Sequence, residues 1–167
     1  MIMKTLKMIL LTLALTLASV EVNAQEIYNE VKRMQKQFET VKLDKTKKMD
    51  ERKIASFKWD AIEYMLYKAK QDSTFTELQL GKQANAMVDF VNLFIKRLVE
   101  AGNSKNKSKR EAVALRFKNA SINHSLFHDE DKDLALAYYD NPKFITQFSL
   151  DTDWVEALKE IREMDWK

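Results

Sequence analysis

The chain has 167 residues, with no cysteine, two glycines, one proline and a formal net charge of +3. Without cysteine there are no disulfides, no thiolate metal sites and no cysteine-based catalysis. Two glycines cannot build a glycine-rich phosphate loop, and so small a net charge does not favour nucleic acid as a partner. Because turn residues are scarce and Lys, Glu, Ala and Leu are abundant, the composition predicts long helices.

The N-terminal segment, residues 1–24, has the pattern of a cleaved secretory signal peptide. Two lysines precede an apolar run at residues 8–18, and Val22 and Ala24 place small residues just before a cut at Gln25. The run is too short for a bilayer core, which needs about 20 apolar residues. We therefore predict export to the periplasm or the cell exterior, with no transmembrane anchor after cleavage.

The mature chain, residues 25–167, is long enough for a single domain with its own core. Its charge is uneven. Residues 129–167 hold eleven acidic and five basic side chains, whereas residues 25–128 hold thirteen acidic and twenty-one basic ones. Two interpretations remain open: the acidic part folds back on the basic helices, or a basic face meets an acidic partner.

Helical periodicity extends over residues 26–71. The first part of the apolar stripe is formed by Ile27, Val31, Met34, Phe38 and Val41. Charged residues then interrupt the same phase at Lys45, Lys48 and Arg52, and it resumes at Ala55, Trp59, Ile62, Leu66 and Ala69. A single helix would be about 69 Å long. We expect two helices broken near the sequence LDKTKK, or one that is strongly bent.

A third helix is predicted over residues 76–101 by a broad apolar face and by Gly102 in the position of a C-terminal cap. Thr74 and Glu77 have the spacing of a capping box at its start.

A fourth helix is predicted over residues 109–128, and it has two apolar stripes. One stripe comprises Val113, Phe117, Ala120, His124 and Phe127, and the other comprises Leu115, Ile122 and Leu126. Because a helix with two apolar sides usually packs between two neighbours, we place it inside the bundle.

The C-terminal region is rich in aromatic residues. Residues 134–139 suggest a short helix, Asn141 and Pro142 mark a turn, and an irregular segment containing Phe148 should pack on the bundle. A final short helix over residues 153–164 carries Trp154, Leu158 and Ile161, with Asp153 as its cap. The fold class is therefore predicted to be all-α. It is an antiparallel bundle of about four helices with an irregular, aromatic-rich C-terminal segment and a short final helix.

The sequence HSLFHDEDKD contains the only two histidines, His124 and His128. At i and i+4 of a helix, both rings could reach one zinc, copper or nickel ion. The other interpretation is structural, because His124 lies within an apolar stripe. The aspartates that follow do not form a calcium loop, since Leu134 and Asp140 stand where that loop needs Gly and Glu.

No catalytic motif can be assembled from the sequence, so we expect a non-enzymatic protein without a cofactor. The leading hypothesis is an exported interaction or structural component of the periplasm or cell exterior, with a protein partner or self-association. The alternative is an exported metal-binding protein that uses His124 and His128.

Overall fold

A computed structural model describes residues 23–102, 107–129, 134–139 and 145–166. The predicted signal peptide falls almost wholly outside these residues. Within them lie five helices and two strands: α1 (Asn23–Leu43), α2 (Met49–Ala69), α3 (Glu77–Glu100), α4 (Lys107–Asn123), β1 (Leu134–Tyr139), β2 (Ile145–Ser149) and α5 (Trp154–Glu163). The predicted helical bundle with a short final helix is confirmed.

The break between α1 and α2 falls within LDKTKK, so the prediction of two helices is confirmed. Asp44 accepts hydrogen bonds from the backbone N–H of Thr46 at 2.9 Å and from its hydroxyl at 2.6 Å. This local bonding holds a turn without glycine or proline, because an aspartate side chain can replace the backbone acceptor that a turn needs. The side chain of Arg52 then donates to the carbonyl of Lys42, near the end of α1.

Helix α3 begins with a capping box, although two residues later than predicted. The Thr76 side chain accepts from the backbone N–H of Gln79, and the Gln79 side chain accepts in return from the backbone N–H of Thr76. Thr74 instead belongs to the preceding turn, where it donates to Asp72. The C-terminal prediction is confirmed, since Gly102 has φ 93°, which glycine adopts without strain.

Helix α4 is shorter and less enclosed than predicted. It ends at Asn123, not at residue 128. Its first stripe is buried at Val113, Phe117 and Ala120, as expected, but Leu115 of the second stripe is 58% exposed. The interpretation of two buried sides is therefore wrong for this part of the helix.

The segment predicted as a short helix and irregular chain contains a two-stranded antiparallel sheet. Strand β1 pairs with β2 from Leu134 opposite Ser149 to Tyr139 opposite Ile145, with an irregularity between Leu136 and Tyr138. The predicted turn at Asn141 and Pro142 lies outside the described residues. Phe148 is fully buried, as expected, and α5 then begins with Asp153 as its cap.

Six aromatic rings from five elements meet at the centre of the molecule. Their ring centres lie 5.0 to 5.9 Å apart, mostly in edge-to-face arrangements, which favour the electrostatics of aromatic pairs. None of the six is exposed: Phe57, Phe90, Phe94, Phe117, Phe148 and Trp154. The C-terminal hairpin and α5 thus share one core with the bundle.

Candidate functional site

The two histidines do not share a helix, because α4 ends before His124. The carbonyl of His124 accepts a hydrogen bond from the backbone N–H of Asp153 at 2.8 Å, and its ring Nε2 lies 2.6 Å from Glu160 Oε2. His128 is exposed and has φ 57°, in the left-handed region. The helical spacing that predicted a shared metal ion is therefore absent.

The loop that carries both histidines is fixed by the carboxylate of Asp151, a residue only 3% exposed. This carboxylate accepts hydrogen bonds from the Ser125 hydroxyl and from the backbone N–H groups of Leu126, Phe127 and Asp129 at 3.2, 2.7 and 2.9 Å. A buried carboxylate is costly unless hydrogen bonds replace its water shell, and here four donors do so. These four hydrogen bonds thus account for the conformation of the loop.

The acidic run that follows the histidines begins with a residue bound to α2. Asp129 accepts hydrogen bonds from Lys68 Nζ and from the Tyr64 hydroxyl. The bond from Lys68, followed by that from Tyr64, lowers the pKa of Asp129 below its ordinary value. The rest of the run, residues 130–133, lies outside the described residues.

Across the part of the chain that the structure describes, no three His, Asp or Glu side chains form a group that could hold a metal ion. Metal binding by His124 and His128 stays a prediction. It is tested by elemental analysis of the purified protein beside the variants His124→Ala and His128→Ala. Equal metal content in all three would contradict it.

A groove of about 440 Å³ lies where α1, α2 and α3 meet. Its size is within the range of about 300–1,000 Å³ that small-molecule sites usually have. Five apolar residues form most of its wall: Phe38, Val41, Ile54, Ala55 and Ile95. Four charged residues also line it: Lys47, Asp50, Glu51 and Lys58.

Lys58 is the buried charge of this groove, with 7% of the residue exposed. Its Nζ donates a hydrogen bond to Asn92 Oδ1 at 2.8 Å and lies 5.3 Å from the centre of the Phe38 ring. An ammonium group has three N–H donors, and among the described residues it forms no ion pair with a carboxylate. Lys58 therefore carries a buried charge with little direct compensation.

Burial lowers the pKa of Lys58 from 10.5 to about 8, and the charge of Asp89 opposes this shift in part. The carboxylate of Asp89 is itself 3.1 Å from the Arg162 guanidinium. At neutral pH the Lys58 amine is still mostly protonated, since neutral pH lies below its pKa. The groove therefore offers an ammonium donor beside an apolar wall.

The sequence contains a local signal for the burial of Lys58, which the predicted apolar stripe does not include. Lys58 stands one helical turn after Ile54 and one turn before Ile62, and both isoleucines are buried. A lysine flanked in this way by apolar residues at i−4 and i+4 belongs to the buried face of its helix. The stripe predicted from the sequence passes through Trp59 instead, which is only partly buried.

A second cavity, of about 310 Å³, lies beside the Trp166 ring, with Arg97 and Arg116 stacked near it at 4.8 and 5.2 Å. Both stacked guanidinium groups already have an acceptor: Arg97 donates to Glu100, and Arg116 donates to the carbonyl of Asp165. The groove around Lys58 is the better candidate, because its ammonium forms no ion pair among the described residues.

Comparison with protein-family models, with curated proteins and with solved structures finds no match for this chain. None of the helices in the described part of the chain is long and apolar enough to cross a membrane. Fold and site together define a helical bundle with an apolar groove and a buried amine.

Proposed function

We propose that this protein is an exported, non-enzymatic helical-bundle protein that binds a small apolar molecule in the groove around Lys58. The observation that carries the proposal is the coincidence of an apolar groove of about 440 Å³ with a buried ammonium group. Ligand sites commonly combine an apolar wall with a few polar groups of shifted pKa.

Export is supported by the signal-peptide pattern of residues 1–24. The test is to express the full chain in a bacterial host and determine the N-terminus of protein recovered from outside the cytoplasm. We expect the mature chain to begin at Gln25. Recovery of only the uncleaved chain, in the cytoplasm, would contradict export and leave the groove proposal standing.

Groove binding is tested with a neutral, environment-sensitive apolar dye. Ile95 lines the groove and is only partly buried, so Ile95→Trp should fill the space without disturbing the fold. The matched control is Val99→Trp, one turn further along α3 at a residue that is 72% exposed. We expect saturable one-to-one binding by the parent and by Val99→Trp, and its loss in Ile95→Trp. Equal binding by all three proteins would place the dye elsewhere and overturn the proposal.

A further inference from the structure

The charges of the groove are arranged along the axis of α2. Glu51 and Lys58 are seven residues apart, hence on one face of the helix and separated by about 10 Å along its axis. Asp50 and Glu51 stand in the first turn of α2, and Lys47 of the α1–α2 turn lines the same end of the groove. This end therefore holds two acidic groups and one basic group, and both Glu51 and Lys47 are exposed. Lys58 is buried further along the helix. The two ends of the groove therefore differ in charge and in contact with water.

The cationic end lacks a contacting anion within the described residues. Asn92 supplies a neutral amide oxygen, and Asp89 acts on Lys58 through its charge without forming an ion pair with it. An ammonium in an apolar setting gains most from a ligand atom that brings negative charge, because charge-assisted hydrogen bonds are about twice as strong as neutral ones.

We propose that the groove binds an aliphatic carboxylate, whose head group contacts Lys58 Nζ and whose chain runs along Phe38, Val41 and Ile54 towards the α1–α2 turn. This inference rests on the proposed function and adds the class and orientation of its ligand. The opposite orientation would bring the carboxylate to the end lined by Asp50, Glu51 and Lys47, where two acidic groups outnumber one basic group and Lys47 is exposed to water.

Other head groups complement the charge of Lys58 less well. A neutral alcohol leaves the Lys58 charge uncompensated, and an alkylammonium is repelled by it. A reversed alkylammonium could reach Asp50 and Glu51, but Glu51 faces water, where ion pairs contribute little. The buried end should therefore decide which ligand is preferred.

The test compares decanoate, decanol and decylammonium, which share one chain and differ in head-group charge, by titration calorimetry at pH 7. Lys58→Met keeps an unbranched side chain that is one atom shorter and removes its charge. Lys53→Met is the control, because Lys53 is exposed on the same helix and does not line the groove. We expect the parent and Lys53→Met to bind decanoate at least tenfold more tightly than decanol. In Lys58→Met this preference should vanish while decanol binding remains.

The outcomes separate the two proposals. Equal affinity for decanoate and decanol in the parent, unchanged by Lys58→Met, would overturn the carboxylate inference and leave the groove as an apolar site. Tightest binding of decylammonium would overturn it as well, in favour of Asp50 and Glu51. If none of the three ligands binds, while the neutral dye also fails to bind, the proposed function itself is overturned.

Discussion

At the scale of single residues, Lys58 and Asp151 are both buried and charged, but they differ in how far hydrogen bonds compensate the charge. Asp151 collects four hydrogen-bond donors from one loop, so its charge is compensated within the protein. Lys58 donates to a single amide oxygen. Removing the charge of Asp151 should therefore lower the free energy of unfolding, whereas removing the charge of Lys58 should raise it.

Lys58→Met is expected to stabilise the protein at pH 7. The pKa of Lys58 is about 8 in the folded chain, against 10.5 as its ordinary value. Between these values the unfolded chain holds a proton that the folded chain has lost, so this residue makes stability rise with pH. At roughly 1.4 kcal/mol per pKa unit the full effect is at most about 3.5 kcal/mol. Urea unfolding of the parent and the variant, from pH 7 to pH 10.5, measures it.

The difference between the two proteins isolates Lys58 from other groups that titrate in this range. The advantage of Lys58→Met should be largest at pH 7 and should shrink from pH 8 upwards. Lys53→Met controls for the general loss of one positive charge. A variant less stable than the parent at pH 7 would show that Lys58 is compensated in the folded chain and would contradict the prediction.

Asp151→Asn is expected to destabilise the protein by about 2–3 kcal/mol. The amide keeps the shape of the carboxylate but replaces one oxygen with an NH₂ group, which cannot accept the bonds that the loop donates. Urea unfolding measures the loss, and amide exchange at Phe127 should accelerate. The control is Glu39→Gln at an exposed position of α1, expected to stay within about 0.5 kcal/mol. Equal stability of the two variants would refute a central role for Asp151.

At the scale of elements, a close approach at Gly81 sets how α1 docks on α3. A Cβ atom at this position would lie 2.6 Å from Ile27 Cγ2, closer than two carbon atoms can approach. Glycine usually weakens a helix interior by about 0.5–1 kcal/mol relative to alanine. Here the packing of α1 outweighs that propensity.

The effect of Gly81→Ala on stability should therefore change sign when the Ile27 side chain is removed. In the parent it should destabilise by about 1–3 kcal/mol, because Ile27 must move out of its packed position. In an Ile27→Ala background, the space is free, and the same substitution should stabilise by about 0.5–1 kcal/mol. A double-mutant cycle of urea unfolding measures both steps. A constant effect in the two backgrounds would exclude the contact.

The helices were predictable because their signals are local. Apolar periodicity located α1, α2, α3 and α5 to within a few residues, and the caps at Gly102 and Asp153 were identified from the sequence. The strands were not predictable in this way. Short apolar runs do not distinguish strand from helix, and the pairing of β1 with β2 depends on register between separate segments.

The site was less predictable than the fold for the same reason. The histidine pair needed α4 to continue to residue 128, but the chain there bonds to Asp151, more than twenty residues away. No local sequence pattern predicts that contact. Lys58 did leave a local signal, yet its importance depends on how α1 and α3 close around it.

At the scale of the whole molecule, several contacts among the described residues link the acidic C-terminal region to the basic part. Lys68 binds Asp129, and His124 contacts Glu160, as folding back of the acidic part predicts. Arg162 reverses the pattern, because here the C-terminal region supplies the cation to Asp89 of α3. Fully buried aromatic side chains also join the two parts among the described residues.

Phe148 is the side chain of β2 that packs in this shared core. Its ring centre lies 5.6, 5.3 and 5.1 Å from those of Phe57, Phe90 and Phe94. Phe148→Ala should therefore lower the free energy of unfolding by about 3–5 kcal/mol, the usual cost of emptying a buried aromatic site.

Because the hairpin and α5 share this core, the parent protein should unfold as one unit. Tryptophan fluorescence reports partly on Trp154 in α5, whereas far-UV circular dichroism reports mainly on the longer helices, so their urea transitions should coincide. Phe148→Ala should move both transitions together, while the control Val155→Ala, at a residue 39% exposed, should move neither by more than about 1 kcal/mol. If the fluorescence transition of the parent came first, the C-terminal region would be a separately folding appendage. The six aromatic rings would then be a contact between two units and not the core of one.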